Sequence, residues 1–493
     1  MYRLRTALVV VLATVLFAGC AVSTSPITGK KRLYGYTWAQ EVQIGKESDP
    51  QIVAQFGLYD DDRLAAYVTR IGEAVLAESH LRRPGADPEF RNTPFTFRVL
   101  DSPVINAFAL PGGYIYVTRG LLSHLNNEAQ LAVVLGHEVT HVAARHASQR
   151  AASQQLGTLG LIGVALGGQA IFGGNTAGNV LDIGGTAAGL LFLRYGRDDE
   201  RESDQNGVDY AARVGYKTSE ASAFFNSLKR INQQQEGGGI PSFLSTHPDP
   251  GEREQTIQRI SARWEQQGAN IVEQEDYYAM LGNLVLGEDP RQGYVERGVF
   301  YHPELKFSFP VPSGYQVVNQ PTQVGMVEPN QNAFLIFSIA QDVSSASEAA
   351  SKLTAEEGIE AVDSGTATVS GNRAHYVLAD VQTDNGEVRL LSYYIEYGGQ
   401  VYSFLGYSAK SSFSTYRNAL EGSMRGFDRV TDQRVLNVQP SRLNFVTASR
   451  SGTFRSFIPA NMPEQFTPEG LAILNQVDLD TQIARGQTLK LPR

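Results

Sequence analysis

The stretch VVLGHEVTHVAARH, residues 133–146, constrains the fold of this chain more than any other part of its sequence. A helix advances by about 100° per residue, so His137 and His141 are predicted to lie on one face, one turn apart. Glu138 lies about 60° from His141 on the same side of that helix. The spacing suits two nitrogen ligands of a tetrahedral zinc ion, with the glutamate placed to act as a general base. The alternative is a buried helix that carries two hydrogen-bonded histidines.

A catalytic zinc site needs a third protein ligand, which has to come from elsewhere in the chain. His146 follows His137 by about 900° of helix and is predicted to face away from the metal. In the segment RDDERESD, Glu200 and Asp204 are four residues apart and share one helical face. We expect Glu200 to bind zinc and Asp204 to hydrogen-bond the free ring nitrogen of a zinc histidine, with Arg197 bracing the carboxylates. Without the histidine helix, such an acidic cluster would be typical of a solvated helix face.

Other distinctive segments accompany these two: SPITGKK, INAFALPGGYIYVTRGLL and STHPDPGER. Together, over roughly residues 26–265, they resemble the gluzincin zinc metalloprotease family that includes the CAAX prenyl proteases, the heat-shock protease HtpX and the periplasmic protease BepA. The pattern is most similar to the soluble periplasmic subgroup. The resemblance implies one zinc ion per chain and the following roles: His137, His141 and Glu200 as zinc ligands, Glu138 as base, and Asp204 behind a ligand. The C-terminal part departs from BepA-like proteins, which carry helical repeats there.

The opening MYRLRTALVVVLATVLFAGC is typical of a bacterial secretion signal, with two arginines ahead of an apolar run. Its end resembles a lipobox, and Cys20 is the chain's single cysteine, which suits an acyl anchor rather than a disulfide. We therefore expect removal of residues 1–19 and lipidation of Cys20. Ala21 rather than aspartate follows the cysteine, which favours a periplasm-facing lipoprotein of the outer membrane. The alternative is an ordinary cleaved signal peptide with a stray cysteine.

The charge balance bears on the class of partner that the chain can bind. The chain has 42 lysines and arginines against 51 aspartates and glutamates, and this acidic balance argues against nucleic-acid binding. Residues 156–174, LGTLGLIGVALGGQAIFGG, come close to the composition of a membrane span. Their many glycines and one glutamine suit a buried or mobile helical hairpin better than lipid exposure. A second membrane contact there is the alternative.

The pattern of apolar residues changes from helical to strand-like after the segment GEDPRQGY. The turn-forming residues of this segment indicate a linker. We predict a multidomain chain in which residues 20–290 form a mainly α-helical zincin protease domain with a small β-hairpin or sheet. Residues 291–430 alternate apolar and polar side chains and predict an antiparallel α+β domain. Residues 431–493 are predicted to form a small LysM-like module, since residues 468–492 resemble the second half of a LysM glycan-binding module. A peptidoglycan contact there follows as an expectation.

Two strand-like segments flank Pro111, Gly112 and Gly113, which predicts a short hairpin. Its first strand begins at Asn106, Ala107 and Phe108. We expect these residues to offer an edge strand to which an extended substrate adds through main-chain hydrogen bonds. A plain core hairpin is the alternative.

His247 lies in STHPDP, where two prolines predict an extended loop that can reach the metal. A neutral imidazole there could fill the open zinc position as a latch, whereas a protonated one could donate to the oxyanion of the reaction. We favour the latch. The alternative is a loop histidine that binds nearby carbonyls.

These patterns predict a zinc-dependent endopeptidase of the bacterial cell envelope that acts in quality control on unfolded or misassembled envelope proteins. A non-catalytic or chaperone-like envelope scaffold with a structural zinc is the alternative. Glu138 argues against a scaffold, because structural zinc sites close with a fourth ligand and have no use for a nearby base.

Overall fold

The computed structural model describes most of the chain, with the following ranges: residues 21–153, 195–234, 243–248, 253–383, 386–463 and 465–493. The predicted lipidation site Cys20 and the apolar segment 156–174 lie outside these ranges. Within them, helices that combine the length and apolarity needed to cross a bilayer are absent.

The first half of the chain is mainly helical. Its helices, in chain order, are Trp38–Phe56 (α1), Asp62–Ala77 (α2), Pro88–Arg91 (α3), Arg119–His124 (α4), Glu128–Ala144 (α5), Arg197–Val214 (α6), Ala221–Gln234 (α7), Phe243–Thr246 (α8), Arg253–Glu265 (α9) and Gln274–Leu281 (α10). A capping box begins α1, because the side chains of Thr37 and Gln40 each accept a hydrogen bond from the other's backbone amide. Asn127 caps α5, so the HEVTH motif lies in the middle of a fully buried helix.

Two small sheets accompany these helices. Strands Ala21–Thr24 (β1) and Lys31–Tyr34 (β2) form an antiparallel hairpin. The other sheet contains Thr96–Leu100 (β3), Ala107–Leu110 (β4) and Tyr114–Thr118 (β5), in the order β3-β5-β4. Strand β4 pairs antiparallel with β5 across the predicted turn, where Gly112 and Gly113 have positive φ, and β3 pairs parallel with β5. Strand β4 is therefore an edge strand, and it contacts the metal-motif helix α5.

Two glycines bring helices α5 and α6 into close contact. A Cβ atom on Gly136 would lie 2.6 Å from the carbonyl oxygen of Gly207, and one on Gly207 would lie 2.6 Å from the amide nitrogen of His137. A side chain at either position would push the helices apart. The close approach places the acidic face of α6 directly beside the histidines of α5.

The second half of the chain contains the predicted antiparallel α+β domain. Strands Tyr294–Glu296 (β6), Val299–His302 (β7) and Phe307–Pro310 (β8) form a small sheet with Asp428–Arg429 (β16). The large seven-stranded sheet has the order β12-β13-β14-β15-β11-β10-β9 and consists of Gln316–Gln320 (β9), Gln323–Val327 (β10), Ala333–Ile339 (β11), Ile359–Val369 (β12), Asn372–Thr383 (β13), Gly386–Tyr397 (β14) and Gln400–Ala409 (β15). The helices of this half are Ala346–Ala355 (α11), Phe413–Arg425 (α12) and Gln433–Leu436 (α13). Helices α11 and α12 pack on the sheet.

The C-terminal residues pack against the helical half rather than standing apart from it. They form Leu443–Thr447 (β17), Gly452–Thr453 (β18), Pro468–Leu474 (α14), Gln482–Ile483 (β19) and Thr488–Pro492 (β20), with β17 paired to β20 and β18 to β19. Leu471, Leu489 and Leu491 belong to the same hydrophobic core as α5. Lys490 is fully buried and donates from Nζ to the carbonyls of Ser123 and Leu125, at 2.7 and 3.0 Å, and burial holds the pKa of its amine well below the usual range. Residues 431–493 thus share a core with the helical domain.

Candidate metal centre

Helix α5 turns two imidazoles toward one point. The Nε2 atoms of His137 and His141 are 3.0 Å apart. The Nδ1 atom of His137 lies 3.0 Å from Asp204 Oδ1, which fixes the ring proton on Nδ1 when the imidazole is neutral. The Nε2 lone pair of His137 then faces the ring of His141. Two acceptor nitrogens aimed at one another need a shared cation or proton between them.

Glu200 comes to the same point from helix α6. Its carboxylate oxygens lie 3.5 Å from His137 Nε2 and 3.6 Å from His141 Nε2. Burial raises the pKa of Glu200, but the imidazoles of His247 and His137 outweigh it and hold that pKa well below the usual range. Desolvation lowers the pKa of His137, yet hydrogen bonds to Asp204 and Glu200 raise it to about 9. Both shifts favour an ionised Glu200 next to a positive charge at this site.

His247 completes the group from the end of α8. Its Nδ1 atom lies 3.3 Å from His137 Nε2 and 3.2 Å from Glu200 Oε1. Its Nε2 atom lies 3.6 Å from Glu138 Oε1, and the ring stacks on Phe243 with centroids 4.5 Å apart. The loop predicted at this position is thus one turn of helix followed by the histidine.

The residues fit a zinc ion. One ligand atom from each of His137, His141, Glu200 and His247 lies within 4.8 Å of the others. Imidazole nitrogens and a carboxylate are the donor set that zinc takes in enzymes. Both carboxylate oxygens of Glu138 and the Nε2 atom of His247 are buried and lack a hydrogen-bond partner within the described residues. Burial raises the pKa of Glu138, and this effect outweighs the charges of His247 and His137, which lower that pKa. Such unsatisfied groups beside one another are typical of a reactive site rather than of a packed core.

The arginine that binds the carboxylates is not the one predicted. Arg197 is exposed at the start of α6. Arg253 is buried instead, and donates from Nε to Asp204 Oδ2 at 2.7 Å and from a terminal nitrogen to Glu200 Oε2 at 2.5 Å. Its other terminal nitrogen has no partner within the described part of the chain. Arg253 ends the segment STHPDPGER, so the signal was present in the sequence, but helix periodicity alone could not connect it to α6.

His146 lies outside the group of metal-ligating atoms, as predicted, although not for the predicted reason. Helix α5 ends at Ala144, and His146 turns back to contact the ring of His141. Its ring is buried, with Glu202 at its outer nitrogen.

Asn106, Ala107 and Phe108 lie where the edge strand β4 begins, and all three are buried. The carbonyl of Ile105, one residue earlier, accepts a hydrogen bond from the amide of Phe243 at 3.0 Å. The strand is therefore tied to the segment that carries His247. The ring of Phe108 stacks on Tyr116 in a neighbouring core cluster, so this side chain points away from the metal group.

The metal group is closed in this structure, since His137, Glu138, His141, Glu200 and His247 are between 0% and 2% exposed. Tyr195 stacks on His141 at 3.9 Å, and Phe243 covers His247. Within the described residues, these two aromatic rings thus lie against two of the metal-group histidines.

Residues 63–261 match the sequence model of peptidase family M48. They form an M48 domain. All members of the metal group lie within it, whereas the α+β sheet domain and the C-terminal residues lie outside the matched range.

Relatives of the M48 domain carry protease names. The chain is 30% identical over 217 residues to the beta-barrel assembly-enhancing protease of Yersinia pestis. This match covers 43% of this chain and 42% of that protein. It is 28% identical over 218 residues to the protein of the same name from Escherichia coli K12, with the same two coverages. It is also 28% identical over 261 residues to the human mitochondrial metalloendopeptidase OMA1, over 50% of this chain and 47% of that protein. The chain thus matches less than half of the length of each of these relatives.

Proposed function

We propose that this chain is a zinc-dependent endopeptidase of the bacterial cell envelope that degrades unfolded or misassembled envelope proteins. The observation that carries the proposal is the buried set of His137, His141 and Glu200 beside the carboxylate of Glu138, which has no hydrogen-bond partner within the described residues. The match to a peptidase family over these residues supports it. The protease names of the relatives support the same reaction.

The zinc ligands in this proposal are the Nε2 atoms of His137 and His141 and the carboxylate of Glu200. When bound, zinc would polarise the scissile carbonyl and lower the pKa of a water molecule. Asp204 holds His137 in the tautomer that presents Nε2, and Arg253 holds Asp204 and Glu200 in place. These partners orient the ligands before any metal binds.

Glu138 performs the proton transfers. Its carboxylate takes a proton from the attacking water and then delivers it to the departing amine of the substrate. Because both of its oxygens are free of hydrogen bonds from the described residues, the carboxylate is not committed to the fold and can bind a water molecule once His247 is displaced. Burial, which raises its pKa, moves this group toward the range in which it can both accept and return a proton.

An extended peptide is the substrate shape that the edge strand suits. We propose that the main chain from Asn106 to Phe108 pairs with the substrate and aligns one carbonyl with the metal group. Strand β4 lies at the edge of its sheet and contacts α5, which supports this role. Pairing along the strand requires no free substrate terminus, which favours endopeptidase over aminopeptidase activity.

The sequence supports placement at the outer membrane through a lipid on Cys20. A peptidoglycan contact through residues 468–492 belongs to the same proposal, which rests on the LysM-like order of helix, Gly486 turn and strand β20. The acidic composition suits protein substrates rather than nucleic acid.

Zinc content and chelator sensitivity test the function directly. The purified chain lacking residues 1–20 is expected to bind about one zinc ion per molecule and to cleave a chemically unfolded protein. Removing the metal with a chelator should abolish cleavage, and added zinc should restore it. The natively folded form of the same substrate is the control. Metal-free preparations that still cleave, or chains that bind no zinc, would refute the proposal.

The position of His247 favours metal binding over oxyanion binding, which supports the latch. Its Nδ1 atom lies among the ligand atoms of His137 and Glu200, where a fourth ligand would be. Its Nε2 atom faces Glu138 at 3.6 Å, so the same ring also occupies the space in front of the base. One side chain thus blocks both the open zinc position and the general base. We propose that substrate binding displaces it.

We expect His247→Ala to raise basal cleavage of an unfolded protein and to weaken zinc binding by about 10-fold, or about 1.4 kcal/mol. The physical reason is the loss of a fourth nitrogen ligand that competes with substrate. Cleavage assays and chelator competition measure the two effects, and His375→Ala in the sheet domain is the matched control. A lower kcat with unchanged zinc affinity would instead assign the oxyanion role. No change in either quantity would remove His247 from the site.

A further inference from the structure

The metal-motif helix ends in an unusual turn. After Ala144, Arg145 takes the left-handed conformation with φ of 60° and ψ of 41°. A straight helix would carry His146 to the face opposite His137. The left-handed residue reverses the chain, so the imidazole of His146 points back at the metal ligand His141, with ring centroids 5.0 Å apart.

Contacts from the β1–β2 hairpin, from the start of helix α1 and from the residues between them hold this turn. A left-handed conformation costs a residue with a side chain roughly 1–2 kcal/mol. The guanidinium of Arg145 donates to Glu41 at 2.8 Å, to Ser23 Oγ at 2.8 Å and to the carbonyl of Tyr36 at 2.7 Å. It also lies over the ring of Tyr34, 3.9 Å from the centroid. These bonds compensate for the strained backbone of Arg145. Strained residues that their surroundings hold in place cluster at functional sites, so the turn is a candidate for a functional role.

The turn produces a line of hydrogen-bonding groups behind His141. The Nδ1 atoms of His141 and His146 are 3.0 Å apart, and His146 Nε2 lies 3.1 Å from Glu202 Oε2. If His141 presents Nε2 to the metal, its Nδ1–H donates to His146 Nδ1, and His146 Nε2–H donates to Glu202. All donors and acceptors along this line are then matched.

We propose that His146 and Glu202 are positioning residues for zinc, because they fix the ring orientation and tautomer of His141. This inference rests on the proposed function. It gives both zinc histidines of helix α5 a carboxylate partner: Asp204 contacts His137 directly, and Glu202 reaches His141 through His146. Such outer partners typically change metal affinity by about 10- to 100-fold when removed.

The experiment measures zinc affinity by chelator competition, and the absorption spectrum of the cobalt-substituted protein, for Glu202→Ala and Glu202→Gln. Glutamine retains an oxygen that accepts from His146 Nε2, so it should restore affinity that alanine loses. We expect alanine to weaken zinc binding by about 10-fold or more and to change the cobalt spectrum. Asp198→Ala is the control on the same helix, since Asp198 is 96% exposed and contacts Arg201.

A second control separates His146 from the other partner of Glu202. Arg32 lies 3.5 Å from Glu202, and Arg32→Ala should leave zinc affinity unchanged if the effect passes through His146. The unfolding temperature of the metal-free proteins must also stay near that of the parent. An unchanged affinity in Glu202→Ala, no rescue by glutamine, or a loss matched by an equal fall in metal-free stability would each overturn the inference. If the parent chain itself binds no zinc, the proposed function fails first and this inference fails with it.

Discussion

Replacing Glu138 with glutamine is expected to lower kcat/KM for an unfolded protein substrate by about 100- to 10,000-fold, the range that a positioned general base contributes. Glutamine has nearly the same shape as glutamate but cannot accept the proton of the attacking water. Because the carboxylate has no hydrogen-bond partner within the described residues, its replacement should disturb the fold little. Zinc content should therefore remain that of the parent, as measured by metal analysis alongside the cleavage assay.

Glu73→Gln provides the matched control, since Glu73 is an exposed glutamate on α2 of the same domain. It should leave both cleavage and zinc content unchanged. Retained cleavage in Glu138→Gln would refute the proton-transfer role. With the base removed and the metal kept, the variant would also hold substrates long enough to identify them from the cell envelope.

Arg253→Met is expected to destabilise the chain by about 3–5 kcal/mol, because it leaves two buried carboxylates without their cation. Arg253 bonds to both Asp204 and Glu200, and all three are almost fully buried. Methionine keeps much of the side-chain volume beside Phe225 and Phe243, so the change reports mainly on charge. Denaturant unfolding, with and without zinc, measures the effect.

The added zinc should recover part of the lost stability, since a cation at Glu200 replaces some of the missing positive charge. Arg201→Met is the control, because Arg201 forms an exposed pair with Asp198 on the same helix and should change stability by less than about 1 kcal/mol. Equal effects of the two substitutions on the free energy of unfolding would show that the buried bonds of Arg253 stabilise the chain no more than an exposed ion pair does.

The sequence predicted the metal group well where helix geometry determines distance. His137 and His141 are neighbours because one helical turn joins them, and Glu200 and Asp204 share a face for the same reason. The same periodicity favours Arg197, one turn before Glu200, as the partner of the carboxylates, and that prediction is wrong because Arg197 is exposed. The arginine that does bind them could not be found this way, because its contact with α6 depends on how separate helices pack.

The orientation of His146 shows a different limit. Periodicity assumes that the helix continues to His146. Here the helix ends at Ala144, and Arg145 forms a left-handed turn that contacts with Glu41, Ser23 and Tyr36 maintain. The antiparallel α+β architecture was predictable from alternating strands and hairpin turns. The shared core of α5 with the C-terminal leucines was not, because apolar residues on a short helix and strand do not reveal which surface they cover.

The burial of Lys490 has a consequence for the order in which the molecule is assembled. Its amine bonds to carbonyls 367 and 365 residues earlier in the chain, just ahead of helix α5. A chain is synthesised from its N terminus, so these carbonyls wait for their partner until nearly the whole polypeptide exists. Contacts so distant in sequence also form slowly, because a very long loop has to close first. The residues just before the helix that carries His137 therefore gain this support only once residue 490 is in place, and a growing or truncated chain lacks it.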